Sequence, residues 1–453
     1  MTLTATKTKA EQALSRNFEA VVGRLPGSAE VGEARKAAIG AFATLGLPHR
    51  RIEAWKYTDL RSLFRDALPP AVGSDTAGGK VTVAAIERAL EGLAALKSHR
   101  LVFVDGAYRG DLSAPLPEGV TFTTLAAALA SAGSSTAELL AAGRAPEHEA
   151  IIALNTAFMS DGAVLHIGAH LAAPLLIVFV RAGQQRGHLV TTRNRITIGA
   201  GARATIIEAH VAFPEAAPGQ SNTLSEVCLA KGARLDHVKL TLAGEGASHL
   251  ATWIVALGAR THYRAFQLTA ATALARNSLF ATFAGEAAKL DVSGCFLGRG
   301  SQHGDTTLVV DHAAPAGESR ELFKGVLADR AHSVFQGKVI VRQDAQKTDG
   351  KQMAQALMLS DAAEFDCKPE LEIHADDVAC GHGATSAEID PDMLFYLLAR
   401  GIPPPEARTL LIESFIGEAI DKLESEPVRS AMWQSAKGRL LTLAHSQRVE
   451  DRS

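Results

Sequence analysis

Residues 201–211, GARATIIEAHV, hold the pattern that decides the fold: a Gly-Ala-Arg turn runs directly into a short segment rich in β-branched residues. Related turns begin at Gly232, Gly258 and Gly285, so that successive turns start 31, 26 and 27 residues apart. Short runs of β-branched and aromatic residues, punctuated by small residues, predict strands. Similar turns at similar separations indicate a coiled repeat, in which each coil stacks on the one before and buries a continuous core.

The repeat by itself leaves two folds open, because short strands also recur in a large β-sandwich. Helical patterns lie on either side of the repeat. Ser28 is suited to cap a helix that ends at Gly46, residues 124–142 are rich in alanine and leucine, and Asp390 with Pro391 begins a further helix. The chain is therefore expected to be mainly β with helical ends.

Three units are predicted along the chain: a mostly helical region at 1–150, a β core at 151–388 and a helical region at 389–453. The length of 453 residues exceeds that of an ordinary single domain, and a hydrophobic share of 47% is ample for a large core. Forty-six basic and forty-nine acidic side chains give a formal charge of −3, which offers no electrostatic case for binding nucleic acid or an anionic membrane.

The composition also predicts a cytoplasmic location. The first residues contain no apolar segment of a secretory signal, and the longest apolar run, 171–180, is too short to cross a bilayer. Four cysteines without paired short spacings argue against a disulfide framework and for a reducing compartment.

Enzyme motifs are missing from the sequence. It has no G-x-x-x-x-G-K-[ST] phosphate loop, no Cys-x-x-Cys, no H-E-x-x-H and no G-x-S-x-G. The chain is therefore not expected to be an enzyme or to hold a permanent cofactor.

The candidate site is the segment CGHG at 380–383. In an extended strand, residues i and i+2 point to the same side, so Cys380 and His382 can face one external object. Thiolate sulfur and neutral imidazole are suitable ligands for iron. The pair supplies only two of the four ligands of a closed metal site, and a purely structural role for each residue stays open on spacing alone.

Longer stretches around this segment resemble the SufD family, the scaffold subunits of the SUF machinery for iron–sulfur cluster assembly. A further motif, EAWKYT at 53–58, matches that family near the N-terminus. The other matching motifs are AQKTD at 345–349, KPELEI at 368–373, ADDV at 375–378, CGHGAT at 380–385, LFYL at 394–397 and RGI at 400–402.

The resemblance implies a right-handed parallel β-helix core and a non-catalytic scaffold function. In that family the histidine of the C-x-H-G-A-T word faces a cysteine of the SufB paralogue, which gives His382 the role of metal ligand at that interface and Cys380 a supporting role. It further implies a heterodimer with SufB, a transient iron–sulfur cluster shared with SufB, and docking of the SufC ATPase on the C-terminal helical region. A homodimer of the isolated subunit stays open.

One face of a C-terminal helix is the candidate for ATPase docking. Leu411, Ile412, Phe415 and Ile416 lie on an apolar face that continues to Leu423 and is wider than a minimal core-facing stripe. Part of this face is expected to pack on the last coil of the β core, and its width predicts a second partner.

Two other functions stay open from the sequence. One is a structural adaptor that holds an ATPase and never contacts iron, and the other is a β-solenoid enzyme acting on polysaccharide. The enzyme would need carboxylates gathered in a groove. The remaining cysteines, Cys228, Cys295 and Cys367, are expected to be core or strand residues.

Overall fold

A computed structural model describes residues 7–72, 81–131 and 149–446 of the chain. Its centre is a parallel β-solenoid of about eight turns with helices at both ends, which confirms the predicted fold class. Each turn contributes one strand to each of two sheets, which we call the odd sheet and the even sheet after the numbers of their strands. The three predicted units stay a prediction.

The odd sheet has ten strands in the order β19-β17-β15-β13-β11-β9-β7-β5-β1-β2. Its neighbours are parallel and in register, except that β1 and β2 are antiparallel. The bounds are β1 His99–Val104, β2 Ala107–Tyr108, β5 Leu175–Arg181, β7 Arg203–Ala212, β9 Arg234–Leu242, β11 His262–Thr269, β13 Lys289–Gly298, β15 Glu318–Leu327, β17 Thr348–Met358 and β19 Val378–Ala387.

The even sheet has nine strands in the order β18-β16-β14-β12-β10-β8-β6-β4-β3, and only the β3–β4 pair is antiparallel. The bounds are β3 Val120–Thr124, β4 Ala163–Ile167, β6 Leu189–Ile198, β8 Gln220–Leu229, β10 Gly244–Leu257, β12 Thr272–Phe283, β14 His303–His312, β16 His332–Val341 and β18 Glu364–Ile373.

Turns of the solenoid stack on one another by backbone hydrogen bonds. The amide of Gly201 donates to the carbonyl of Lys231 at 3.0 Å, and the amide of Gly232 donates to Ala259 at 2.9 Å. Gly201 and Gly232 have φ values of 70° and 73°, in the left-handed region that glycine adopts without steric cost. The recurring glycine turns therefore link successive coils, as the sequence predicts.

The core lies in the lumen between the two sheets, where alternate side chains of every strand meet. Trp253, Val255 and Leu257 of β10 are at most 2% exposed and stand in register with Leu279, Ala281 and Phe283 of β12. The side chains that point inward along each strand fill this lumen, and the side chains that alternate with them form the outer faces of the two sheets.

Helices cover those outer faces. Ser28 caps the second helix by accepting a hydrogen bond from the amide of Val31, and Asp390 caps the seventh through the amides of Asp392 and Met393, as predicted. The predicted helix at 124–142 begins at Leu125, and residues 132–142 lie outside the described ranges. The bounds are α1 Lys9–Val21, α2 Ala29–Leu45, α3 Leu60–Leu63, α4 Val83–Leu90, α5 Leu125–Ser131, α6 Ala150–Phe158, α7 Pro391–Ala399, α8 Pro404–Ile420 and α9 Glu426–Ser446.

The EAWKYT motif at 53–58 attaches the N-terminal region to the even sheet. Trp55 is 3% exposed, and the guanidinium of Arg276 from β12 lies 3.6 Å from the centroid of its ring. Arg276 also forms a buried ion pair with Asp305 of β14, and the hydroxyl of Thr58 donates to the same carboxylate. The EAWKYT motif therefore has a structural function where the N-terminal region meets the even sheet.

The C-terminal helices pack against the side of the solenoid. Helix α8 contacts β13 and β15 of the odd sheet, and Ile412 and Ile416 are buried there at 1% and 0% exposure. The expectation that this face packs on the last coil was wrong, because β13 and β15 lie two or more strands away from β19 in the sheet order.

Candidate functional site

The last turn of the solenoid is open. Strands β18 and β19 end the two sheets, and in the described ranges no further strand pairs with their outer edges. Each strand has ten residues, none of which is fully buried. Two adjacent rows of unpaired backbone donors and acceptors therefore face outward, which is the arrangement that accepts strands from another chain. We call this surface the open end.

Cys380 and His382 lie on the open end and face the lumen side of β19. Cys380 is in register with Gly350 of β17, and His382 is in register with Gln352. Gly350 and Gln352 are both buried, whereas Lys351 between them is exposed. Register neighbours in a parallel sheet point the same way, so the thiol and the imidazole share the lumen side of the last strand.

His382 is exposed, and among the described residues its ring makes no hydrogen bond or ion pair. Both ring nitrogens are therefore available to an external ligand. The described ranges contain no group of three or more His, Cys, Asp or Glu side chains placed to hold a metal ion, so a site at His382 has to be completed from elsewhere.

Cys380 is half-buried and packs against the lumen core. Burial raises the pKa of its thiol, and the hydrogen bond from the Gly350 backbone and the charge of Lys351 offset this only in part. Burial also raises the pKa of Cys367, on the neighbouring strand β18, to about 11. Both side chains are thus held as neutral thiols in the free chain, which favours a supporting role for Cys380.

The other two cysteines lie away from the open end in the chain order. Cys228 is on β8 and exposed, whereas Cys295 is buried on β13, where its thiol is 3.8 Å from the carbonyl oxygen of Ile416. All four cysteines lie on strands, as expected, and all are free thiols.

Sequence reasoning missed two polar side chains that lie in the lumen beneath the open end. Gln352 of β17 and Glu321 of β15 are each 3% exposed, and they are register neighbours of one another. Among the described residues, neither terminal atom of either side chain has a hydrogen-bond partner of normal geometry. Burial raises the pKa of Glu321 to about 8, and the Ser319 hydroxyl offsets this only in part.

Gly337 of the facing strand β16 makes room for the amide of Gln352. A methyl group at position 337 would lie 2.0 Å from Nε2 and 2.7 Å from Oε1 of Gln352. The amide therefore crosses the lumen to the opposite sheet. The alternation of residues 348–358 predicts that Gln352 shares a face with Thr348 and Gly350, but that pattern alone does not say which face is inside.

A second polar cluster inside the solenoid is internally satisfied. Glu208 lies 2.9 Å from Nε2 of His237, and the ammonium of buried Lys239 donates to Asn277 at 2.6 Å. Burial lowers the pKa of Lys239 to about 7. These groups bind one another across the lumen, in contrast to the unpaired Glu321 and Gln352.

A cleft with a volume of about 750 Å³ lies between the outer face of the odd sheet and residues 422–428. Two of its carboxylates already have partners: Asp236 is ion-paired with Arg264, and Asp291 lies against Nε2 of His262, each at 2.6 Å. Paired carboxylates of this kind do not form the free acid and base couple that a glycosidase needs.

The predicted ATPase-binding residues divide by burial. Ile412 and Ile416 belong to the chain's own core, whereas Leu411 and Phe415 are half-buried. The ammonium of Lys324 lies 4.5 Å from the centroid of the Phe415 ring, on the surface of β15. The role of this face in ATPase binding stays a prediction.

Exposed apolar side chains are concentrated instead on α7. Met393, Phe395 and Tyr396 are 59%, 71% and 56% exposed, and α7 has no buried residue. Large apolar side chains that are exposed together on one short helix are typical of an interaction surface.

Comparison with known proteins identifies two family models along the chain. The model described as the SufBD core domain of the SUF system for FeS cluster assembly matches residues 179–415. The model described as the SufBD protein N-terminal region matches residues 24–175. Together they cover the solenoid, the open end and part of the C-terminal helices.

Individual relatives agree with these matches. A SufBD-family iron–sulfur cluster assembly protein of Synechocystis is 32% identical over 422 residues, which is 90% of each chain. The iron–sulfur cluster assembly protein SufD of Escherichia coli is 30% identical over 394 residues, covering 85% of this chain and 87% of its own. SufD of Bacillus subtilis is 37% identical over a shorter stretch of 142 residues. No helix in the described ranges is both long and apolar enough to span a membrane.

Proposed function

Because this chain belongs to the SufBD family of iron–sulfur cluster assembly proteins, we propose that it is a non-catalytic scaffold subunit that pairs with a SufB paralogue and binds the SufC ATPase. The observation that carries the proposal is the open end, where exposed His382 and half-buried Cys380 share one side of an edge strand. The proposed location is the cytoplasm.

The open end supports pairing with a second solenoid. Strands β18 and β19 each present an outer edge of ten residues, and a partner with similar edges can continue both sheets. Buried backbone groups need hydrogen-bond partners, so such a junction satisfies donors and acceptors that are otherwise left to water. A SufB paralogue is the proposed partner, and a second copy of this chain is the alternative partner when the subunit is isolated.

His382 is the proposed ligand for a nascent cluster at that junction. The imidazole brings one nitrogen, and the partner must bring the remaining ligands, because the described ranges hold no complete metal site. A ligand set divided between two chains allows the cluster to form and later to leave. The cluster is thus cargo shared with the partner, and Cys380 supports the site from the lumen side.

Helix α7 and its surroundings are the proposed docking surface for the ATPase. Much of the predicted face of α8 is buried against β13 and β15, since Ile412 and Ile416 are buried. The exposed side chains of α7 extend the same C-terminal region outward. We therefore place the main contact on Phe395 and Tyr396, with Leu411 and Phe415 of α8 at its margin.

Co-purification tests the proposal. The chain is produced together with a SufB paralogue and SufC without oxygen, and the isolated assembly is analysed for subunits, iron and acid-labile sulfide. A complex of the three proteins that contains both iron and sulfide is expected. A chain that binds the ATPase alone and is recovered without iron or sulfide would instead support the adaptor function.

A further inference from the structure

The EAWKYT motif extends across the outer face of the even sheet as far as the open end. The carbonyl oxygen of Ala54 accepts hydrogen bonds from Arg276 of β12 at 2.8 Å and from Gln336 of β16 at 3.2 Å. The carboxylate of Glu53 is ion-paired with Lys368 of β18, the last strand of that sheet. The motif therefore ties the N-terminal region to the edge strand itself.

The segment that contains this contact, residues 50–56, carries three exposed cations, and we call it the basic loop. Arg50, Arg51 and Lys56 are exposed, and none of them forms an ion pair with a residue that the structure describes. Ile52 lies between them in the sequence and is 40% exposed. An exposed apolar side chain among cations without counter-charges is suited to contact with another molecule.

The nearby acidic side chains of β18 do not neutralise the basic loop. Glu370 lies 3.2 Å from the ammonium of Lys368, and Glu372 is ion-paired with Lys338 of β16 at 2.5 Å. Glu53, the acidic residue of the loop, is paired with Lys368. The loop thus brings unmatched positive charge to the rim of the open end.

Sheet geometry places a partner at the open end close to this charge. A partner that continues the even sheet adds its first strand about 4.8 Å beyond β18, the strand to which Glu53 is attached. Opposite charges across an interface speed association and fix the register, whereas like charges oppose it. A second copy of this chain brings the same unmatched cations, so the charge favours a paralogue with an acidic surface.

We propose that the basic loop is a second contact with the SufB paralogue, beside the paired strand edges, and that the paralogue presents acidic side chains to it. This inference rests on the proposed pairing at the open end and adds the N-terminal region to that interface. Arg50, Arg51 and Lys56 supply the charge, and Ile52 supplies apolar contact area.

Amine labelling of the wild-type chain tests the contact without any substitution. The full-length chain is acetylated alone and in complex with the SufB paralogue, and the labelling rate of each lysine is measured by mass spectrometry. Lys56 should be protected in the complex. Lys231 is the matched control, because it is equally exposed but precedes β9, five strands from β19 in the odd sheet, and its labelling rate should not change.

Charge reversal tests the chemistry of the partner surface. The variant Arg50→Glu/Arg51→Glu/Lys56→Glu should associate with the SufB paralogue at least about tenfold more slowly than wild type, with a weaker dependence of the rate on salt. Its folding is checked by urea unfolding, which should match wild type because the three side chains are exposed.

A second triple variant gives the same change in net charge at a remote place. Arg203→Glu/Lys231→Glu/Arg234→Glu replaces three exposed cations in or next to β7 and β9. At about 0.15 M salt the Debye length is about 8 Å, so these charges are screened from the open end. This variant should associate like wild type.

The outcomes separate this inference from the proposed function. A wild-type complex in which Lys56 is labelled as fast as in the free chain, or equal association rates for the two triple variants, would overturn the contact and leave pairing through the strand edges alone. Failure of the wild-type chain to bind the SufB paralogue would overturn both proposals. Protection of Lys56 that grows with the concentration of the isolated chain would identify a second copy as the occupant and overturn the assignment to an acidic paralogue.

Discussion

The guanidinium of Arg276 lies 3.6 Å from the centroid of the Trp55 ring and joins the N-terminal region to the even sheet. The same guanidinium donates to the carbonyl oxygen of Ala54 at 2.8 Å and is ion-paired with buried Asp305. A guanidinium that stacks on a ring and donates from two nitrogens to two different acceptors is specific to arginine, because lysine lacks the planar fork. Residues 53–58 thus hold the two regions in one orientation.

Trp55→Ala should therefore destabilise the protein by about 3–5 kcal/mol, the usual cost of removing a buried aromatic side chain. The loss is measured by urea unfolding, together with limited proteolysis of residues 7–72. Lys56→Ala is the control, because Lys56 is exposed within the same word and its replacement should change stability by no more than about 0.5 kcal/mol. Equal stability of the Trp55→Ala and Lys56→Ala variants would show that the clamp does not exist.

Glu321 should give the solenoid a distinctive dependence on pH. Its folded pKa of about 8 lies above the ordinary 4.5, so between these values the folded state holds a proton that the unfolded chain has released. Unfolding therefore releases a proton in this window, and the free energy of unfolding falls as the pH rises, by at most about 1.4 kcal/mol per unit. Below the window Glu321 contributes no dependence.

The Glu321→Gln variant isolates this contribution, because the amide does not titrate. Urea unfolding of both proteins is measured at pH 5, 6.5 and 8, which covers about three pH units of the expected window. The free energy of unfolding of the variant relative to wild type should increase as the pH rises. Parallel curves for the two proteins would mean that the carboxyl group is paired or solvated in the folded state.

Phe395→Asp should weaken binding of the ATPase by at least about tenfold and leave the fold intact, because Phe395 is 71% exposed. Ile416→Asp is the contrasting variant. Ile416 is 0% exposed, so a charge there should destabilise the core, with any effect on binding following from the loss of structure. Binding is measured by titration calorimetry and folding by circular dichroism. Normal ATPase binding by folded Phe395→Asp protein would remove α7 from the interface.

The repeat predicted much of the solenoid and missed part of it for a clear reason. Gly201 and Gly232 identify turns because glycine tolerates positive φ. Ala316 and Lys347 occupy equivalent stacked turns with φ values of 56° and 64°, and their amides donate to the next turn at 2.8 and 2.6 Å. Neither residue type indicates a left-handed conformation, so these turns could not be recognised from composition.

The sequence draws attention to the rim of the candidate site but not to the polar side chains in its interior. His382 and Cys380 could be found because they lie in one short motif, CGHG. Gln352 and Glu321 lie in different strands, 31 residues apart, and only the closed coil makes them neighbours. The apolar face containing Ile416 was likewise visible as a periodicity, but periodicity does not say whether its partner is a strand of the same chain or another protein.

His382 is the proposed ligand for the nascent cluster, and His374 is the matched histidine for comparison. Both histidines are exposed near the open end, but His374 follows β18 and lies 3.1 Å from Glu372. Neither replacement by alanine should disturb folding or assembly with partners, because both side chains are at the surface. Cys380→Ser should have a milder effect than His382→Ala if its thiol only supports the site.

Iron and acid-labile sulfide are measured in wild-type, His382→Ala and His374→Ala complexes of identical subunit composition, purified without oxygen. We predict normal contents in wild type and His374→Ala, and a sharp fall in both iron and sulfide in His382→Ala. A fully assembled His382→Ala complex with wild-type iron and sulfide would contradict the account and leave the chain as an adaptor that does not contact the cluster.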